Sequence, residues 1–115
     1  MAEYSLAHIG INAANEDEAR KAAELFCTIF GFALKAGNSS IFAGSGIEVM
    51  KEPYLGTNGH IAIGTPDVAT AKAELEARGY TFREDSAKYK PDGRLNAIYL
   101  DGEIGGFAVH LVGKG

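Results

Sequence analysis

The chain has no tryptophan, one cysteine, three prolines and no long apolar run. A lone Cys27 cannot close an internal disulfide, which fits a reducing compartment. Within LFCTIF it reads as core filler, because free cysteine packs as a small hydrophobe. No stretch approaches the roughly 20 apolar residues of a membrane-spanning helix, and MAEYSLAHIG lacks a signal-peptide pattern. A cytoplasmic location is therefore expected. Basic residues are also few: 11 Lys and Arg stand against 15 Asp and Glu, the net charge is −4, and the cations are scattered. Nucleic acid and anionic membrane, which need a basic face, are excluded as main partners. No G-x-S-x-G, HExxH or Cys–His arrangement occurs, and GSG and GGF do not join a strand to a helix as a phosphate loop would.

What is present is a pattern written twice. Tyr4–Asn12 alternates, with Ile9 and Ile11 on one face and His8 and Gly10 on the other. Asn15, three residues before Glu18, resembles a capping box. The helix it opens carries Ala22, Leu25, Phe26, Ile29 and Phe30 on one stripe and closes at Gly31. Short strands are predicted at Phe32–Lys35, Ser40–Ala43 and Ile47–Lys51, separated by GNS and GSG turns. The same order returns: a strand Gly59–Thr65, a helix from Pro66-Asp67 through Val68, Ala71 and Leu75 to Gly79, then strands Tyr80–Arg83, Leu95–Leu100 and Phe107–Val112. His8 and His60 stand 52 residues apart, about half of 115. KEPYLGTNG is too short to be a flexible linker between independent domains. The expected fold is α+β: two βαβββ modules, about 4–52 and 58–113, sharing one domain. They would form a cupped eight-stranded mixed sheet with both helices on its outer face. Ile9, Ile11, Leu25, Phe26, Ile29, Ile61, Ile63, Leu75, Val109 and Leu111 are the expected core.

Four ionisable residues interrupt the strands with parity opposite to their aliphatic neighbours: His8, Glu48, His60 and His110. Strand side chains alternate faces, so if the aliphatics pack under the helices these four point into the cup. They occupy the first and last strands of each half and include every histidine of the chain. One such residue on an exposed sheet face is ordinary. Four at matching ends of two repeats form a donor set for Zn²⁺, Ni²⁺, Fe²⁺, Co²⁺ or Mn²⁺.

The βαβββ–βαβββ order, the phrases AHIGINA and GHIAIGTPDVATAKAELEARGYTF, and the ending GGFAVHLV resemble the vicinal-oxygen-chelate (glyoxalase/bleomycin-resistance/dioxygenase) superfamily over nearly the whole chain. That resemblance implies one divalent metal held by His8 and Glu48 from the first half and His60 and His110 from the second. The last ligand in such families is usually glutamate; here the matching residue is His110. The wording is also similar to small glyoxalase-like domains that accompany 2-keto-3-deoxy-6-phosphogluconate aldolases, which would make an aldolase of sugar-acid metabolism a partner. Two readings follow. One is a metal-dependent lyase or isomerase acting on a small α-oxo, hydroxy or enediol-forming substrate, with Glu48 as base because it is the only carboxylate of the four. The other is a non-catalytic ligand-binding or regulatory module.

Around this set, Tyr54 in the junction and Tyr99 on LNAIYL could hydrogen-bond a substrate, with packing as the plainer role. Lys88, Lys90 and Arg94 in SAKYKPDGR could neutralise a carboxylate or phosphate at the rim, against a solvated hairpin. Asn38, Ser39 and Ser40 read as a turn. By resemblance, chains of this type pair, so a homodimer is expected.

Overall fold

The computed structural model describes residues 2–114. Module one runs β1 (Ser5–Asn12), α1 (Glu16–Phe30), β2 (Leu34–Ala36), β3 (Ser40–Ala43) and β4 (Ile47–Met50). Module two runs β5 (Gly59–Thr65), α2 (Val68–Ala77), β6 (Phe82–Tyr89), β7 (Leu95–Ile104) and β8 (Phe107–Gly113). The eight strands make one mixed sheet in the order β2-β3-β4-β1-β5-β8-β7-β6. β1 pairs parallel with β4, and β5 parallel with β8. β1 and β5 pair antiparallel at the centre and join the two modules in one sheet.

Local chemistry explains the helix ends. Asn15 accepts a hydrogen bond from the Glu18 N–H at 2.9 Å, and Asp67 accepts one from the Thr70 N–H at 3.0 Å. Each cap satisfies a donor that the first turn leaves free. Three acids in the first turn of α1 add favourable charge at the positive end of its dipole. Gly31, at φ 77°, adopts the left-handed geometry that lets its N–H bond Cys27 O and end the helix.

Each helix sits on its own half of the outer face. α1 lies on β2, β3 and β4, where Ala19, Ala23, Ile41 and Val49 form a buried cluster. α2 lies on β7 and β8, over Val68, Ala71, Phe82, Ile98 and Leu111. Val109 and Leu111 are buried as expected, while Ile11, Phe26, Ile61, Ile63 and Leu75 are half-buried. Ile9, Leu25 and Ile29 are not core; they are 37%, 59% and 64% exposed. The reason is the contact stripe of α1. Ala19 and Ala23 meet the sheet, which puts the bulky positions on the flank of the helix. Neither helix spans the β1–β5 seam, which leaves Ile9 open. Cys27 is half-buried rather than fully packed.

Several strands also differ from their expected places, and β7 runs on to Ile104 rather than ending at Leu100. β2 begins at Leu34 rather than Phe32. β6 runs to Tyr89, so SAKY of SAKYKPDGR is strand and KPDGR forms the turn, with the Lys90 N–H donating to Arg94 O. The Ser86 hydroxyl holds the irregular β6–β7 register by donating to Arg83 O and accepting from the Tyr99 N–H.

A histidine and carboxylate cluster in the cup

Register places the four interrupting residues on one face. His60 and Glu48 both pair with Gly10, while His8 and His110 both pair with Ala62. Ile61 pairs with Ile9 and Val109, which is the opposite face. The cup that results has a volume of about 350 Å³ and is lined by His8, Glu48, His60, Tyr54, Tyr99 and His110, with Lys88 at its edge.

At its floor the donor atoms converge. Glu48 Oε1 lies 3.0 Å from His60 Nε2 and 3.2 Å from His8 Nε2, and the two Nε2 atoms are 3.3 Å apart. One nitrogen from each of His8, His60 and His110 lies within 4.8 Å of the others. Ligands about 2.0–2.2 Å from a Zn²⁺-like ion stand roughly 3–3.5 Å from one another, so the three shortest separations fit the edges of a coordination shell. His110 stands a little wider. Three imidazoles and one carboxylate form a set that divalent first-row metals accept.

His110 and Glu48 are each held in the form a ligand needs. Burial is the main effect that lowers the His110 pKa, to about 4, and nearby His60 and His8 add to it. The ring is thus neutral at neutral pH. Its Nδ1–H donates to Leu111 O at 3.1 Å, which leaves the Nε2 lone pair free. Burial would raise the Glu48 carboxyl, but hydrogen bonds from His60, His8 and Ser40 outweigh it and hold the group well below the usual carboxylate range. Tyr99 stays a neutral phenol: burial, then nearby Tyr54 and Glu48, push its pKa above the usual value. Its ring packs 4.7 Å from His110 and 6.2 Å from Tyr54.

One support is steric instead of polar. His60 Nδ1 is buried with no hydrogen-bond partner among the described residues, whereas a ligating histidine normally anchors its outer nitrogen. The ring is held by contact with Gly10. A Cβ built on Gly10 would fall 1.9 Å from His60 Cε1 and 2.2 Å from Nδ1. The imidazole therefore occupies the space that any other residue at position 10 would fill.

Not every expected residue reaches the cup. Tyr54 and Tyr99 line it. The junction carrying Tyr54 is pinned by Asn12, whose side chain bonds the Tyr54 N–H and O and Gly56 O. Arg94 and Lys90 instead line a separate hollow with Pro66, Asp67 and Val68 at the start of α2, because they lie around the far turn of the β6–β7 hairpin. Ser40, read as part of a turn, opens β3 and is buried; its hydroxyl donates to Glu48 Oε2 at 2.6 Å. Phe42 packs edge-on against His8 at 5.6 Å. Both share the parity of Lys35 and Glu48 across the hairpin, a signal that the strand alternation carried.

No protein-family model matches the sequence, and no curated protein matches it. Solved structures do match the fold. A methylmalonyl-CoA epimerase variant from Streptomyces coelicolor, in complex with 2-nitronate-propionyl-CoA, superposes with a TM-score of 0.65 at 19% identity, covering 96% of this chain and 94% of that one. The methylmalonyl-CoA epimerase from Mycobacterium tuberculosis gives 0.66 at 18%, covering 96% and 87%. A hypothetical protein from Bacillus halodurans gives 0.65 at 18%, covering 98% and 96%. The chain thus has the glyoxalase fold. Among the described residues no helix is long and apolar enough to cross a membrane. Nothing in the fold or in these neighbours points to an aldolase partner.

Proposed function

We propose that the protein is a metal-dependent isomerase of the glyoxalase type, which moves a proton next to a carbonyl in a small substrate that offers two neighbouring oxygens. The observation that carries this reading is the convergence of Glu48 Oε1 with the Nε2 atoms of His8 and His60 at 3.0–3.3 Å on the floor of an open cup. A divalent ion held by His8, Glu48, His60 and His110 would supply Lewis-acid polarisation of the two oxygens. Glu48 is the base: it is the one carboxylate of the cluster and is ionised at neutral pH. The Ser40 hydroxyl, donating to Oε2, fixes the plane of the carboxylate. Tyr99, a neutral phenol at the wall, offers a hydrogen bond to a substrate oxygen, and Lys88 at the rim offers charge to a carboxylate. Tyr54, on the junction pinned by Asn12, lines the cup beside Tyr99 and offers a second phenol to the substrate.

The epimerases that share the fold favour isomerisation over lyase chemistry. A cup with a single carboxylate suits one kind of isomerisation. One base can take a proton and return it to the adjacent carbon on the same face, as an enediol route requires, whereas inversion of one centre calls for an acid on the opposite face. The substrate class is accordingly an enolisable hydroxy-carbonyl compound. The protein works as a homodimer in the cytoplasm on this reading, and the exposed apolar flank of α1 supports the pairing.

The test is metal analysis of protein purified without chelator, followed by proton exchange in D₂O. Deuterium should enter the carbon next to the carbonyl of small hydroxy-aldehydes and hydroxy-ketones, followed by NMR, and should stop when the metal is stripped. A protein that takes up no divalent metal would favour the binding-module reading.

A further inference from the structure

We propose that the substrate carries an apolar tail, and that this tail lies outside the cup along the inner face of the β2–β3 hairpin. The inference rests on the reading of the cup as a metal and substrate site, and it defines the substrate more closely.

A second hollow adjoins the cluster on the module-one side. It has a volume of about 630 Å³, nearly twice that of the cup, and is lined by Ala33, Lys35, Ala36, Ser40, Phe42 and Gly44. That volume is in the range of small-molecule sites, and its walls are mainly methyl groups, a phenyl ring and the stem of Lys35. It connects to the cluster through two side chains. Phe42 forms part of its wall and packs against His8, and it is the cross-strand partner of Glu48. Ser40 also forms part of its wall and donates to Glu48.

The matching face of module two is different. There β6 and β7 present Ser86, Lys88, Ala97 and Tyr99, and these belong to the cup itself. The inner face of module two thus belongs to the cup, whereas that of module one continues past the donor cluster into the larger hollow. A substrate with only a small polar head would leave the apolar part wet. An elongated one, with vicinal oxygens at the cluster and an alkyl or aryl tail across Phe42, covers the whole face. The chemical class is a medium-chain or aryl-substituted 2-oxo or 2-hydroxy carbonyl compound.

Pyruvate, 2-oxohexanoate and 2-oxooctanoate, titrated into the cobalt(II)-loaded protein, test this. Binding is read from the cobalt absorption spectrum and by calorimetry. Full burial of a methylene is worth about fourfold in affinity, so a groove open on one side should give about twofold per methylene along the series. Phe42→Ala should flatten the series and Phe42→Leu should restore it. The readout is the ratio of octanoate-type to pyruvate affinity, which a general loss of the site does not change. A flat or falling series in the wild type, or a slope that survives Phe42→Ala, overturns the proposal. If pyruvate leaves the cobalt spectrum untouched, the metal-site reading fails and the groove is judged alone. Octanoate added to the metal-free chain should then shift the NMR signals of the Phe42 ring and the Ala33 methyl; no shift overturns the groove as well.

Discussion

The two modules supply the same histidine at the same place, and the structure treats the two copies differently. The antiparallel pairing of β1 with β5 sets His8 opposite Ala62 and His60 opposite Gly10. These two pairs are images of each other under the 52-residue repeat, and one methyl group separates them. Where the methyl is present, the ring stands off: the His8 side chain is 18% exposed. Where it is absent, the ring sinks onto the strand and the His60 side chain is 4% exposed. The last strands differ too. Module one ends in an ionised Glu48, module two in a His110 kept neutral by burial. A duplicated frame thus yields an asymmetric centre, with charge and base on one side and a buried neutral donor on the other.

The largest expected effect comes from erasing the difference between the last strands. Glu48→Gln keeps the volume and an oxygen donor but removes the charge and the base. Turnover in the deuterium-exchange assay should fall by on the order of 10²–10⁴, the scale of losing a general base. Metal binding should weaken less than in His60→Ala, which removes a donor outright. An unchanged rate would remove Glu48 from the mechanism.

Gly10→Ala should come next. Gly10 does not have positive φ, so alanine suits the backbone. The three atoms nearest the added methyl all belong to the His60 ring, at 1.9–2.5 Å, so the ring must swing out. Metal affinity should drop about 10- to 100-fold, the usual scale for losing the support of a ligand. The far-ultraviolet circular dichroism should stay that of the wild type. Wild-type affinity in this variant would show that His60 does not depend on the missing methyl.

The helices differ as the histidines do. Ala19 and Ala71, related by the repeat, are both fully buried, so the two helices dock alike. Their outer flanks diverge: Leu25 and Phe26 of α1 correspond to Ala77 and Arg78 at the end of α2. The fold plainly tolerates small or polar residues there. Leu25 and Ile29, with Phe30 at 61% exposure, form an apolar flank that a partner copy would cover. Leu25→Glu should therefore weaken self-association by about tenfold or more, given roughly 1.5–3 kcal/mol for burying a leucine. Monomer stability should change little, because the side chain is exposed. Sedimentation of Leu25→Glu beside Ala77→Glu, which should behave as wild type, makes the measurement. Equal effects of the two, or a wild-type monomer at micromolar concentration, would remove the flank as an interface.

The sequence made the frame and the cluster readable for one reason: strand alternation is strict, so opposite parity separates the His8, Glu48, His60 and His110 face from the Ile9, Ile61 and Val109 face without any knowledge of pairing. What it hid depends on contacts across strands. Ser40 reads both as the end of a turn and as the start of a strand, and its bond to Glu48 shows only when β3 is paired with β4. Gly10 reads as a small strand residue until His60 lies on it. Arg94 reads as a rim cation until the β6–β7 hairpin carries it past the cup. Leu25 and Ile29 failed as core for a different reason. A helical stripe shows which residues share a flank, and two buried alanines, not the largest side chains, decided which flank met the sheet.

The smallest expected effect is the mirror of the Gly10 change. Ala62→Gly removes the methyl opposite His8 and gives both histidines the same bare strand beneath them. Ala62 is fully buried, and glycine within a strand costs about 0.5–1 kcal/mol in chain entropy, so the melting temperature should fall by a few degrees. Metal affinity should change by no more than about threefold. His8 already reaches Glu48 at 3.2 Å and His60 at 3.3 Å with the methyl in place, so the added space offers it no missing contact. Calorimetric titration of cobalt(II) into Ala62→Gly and Gly10→Ala side by side makes the comparison. If the two variants lose metal affinity equally, the methyl is not what distinguishes the modules, and the depth of His60 must come from the strands that flank it.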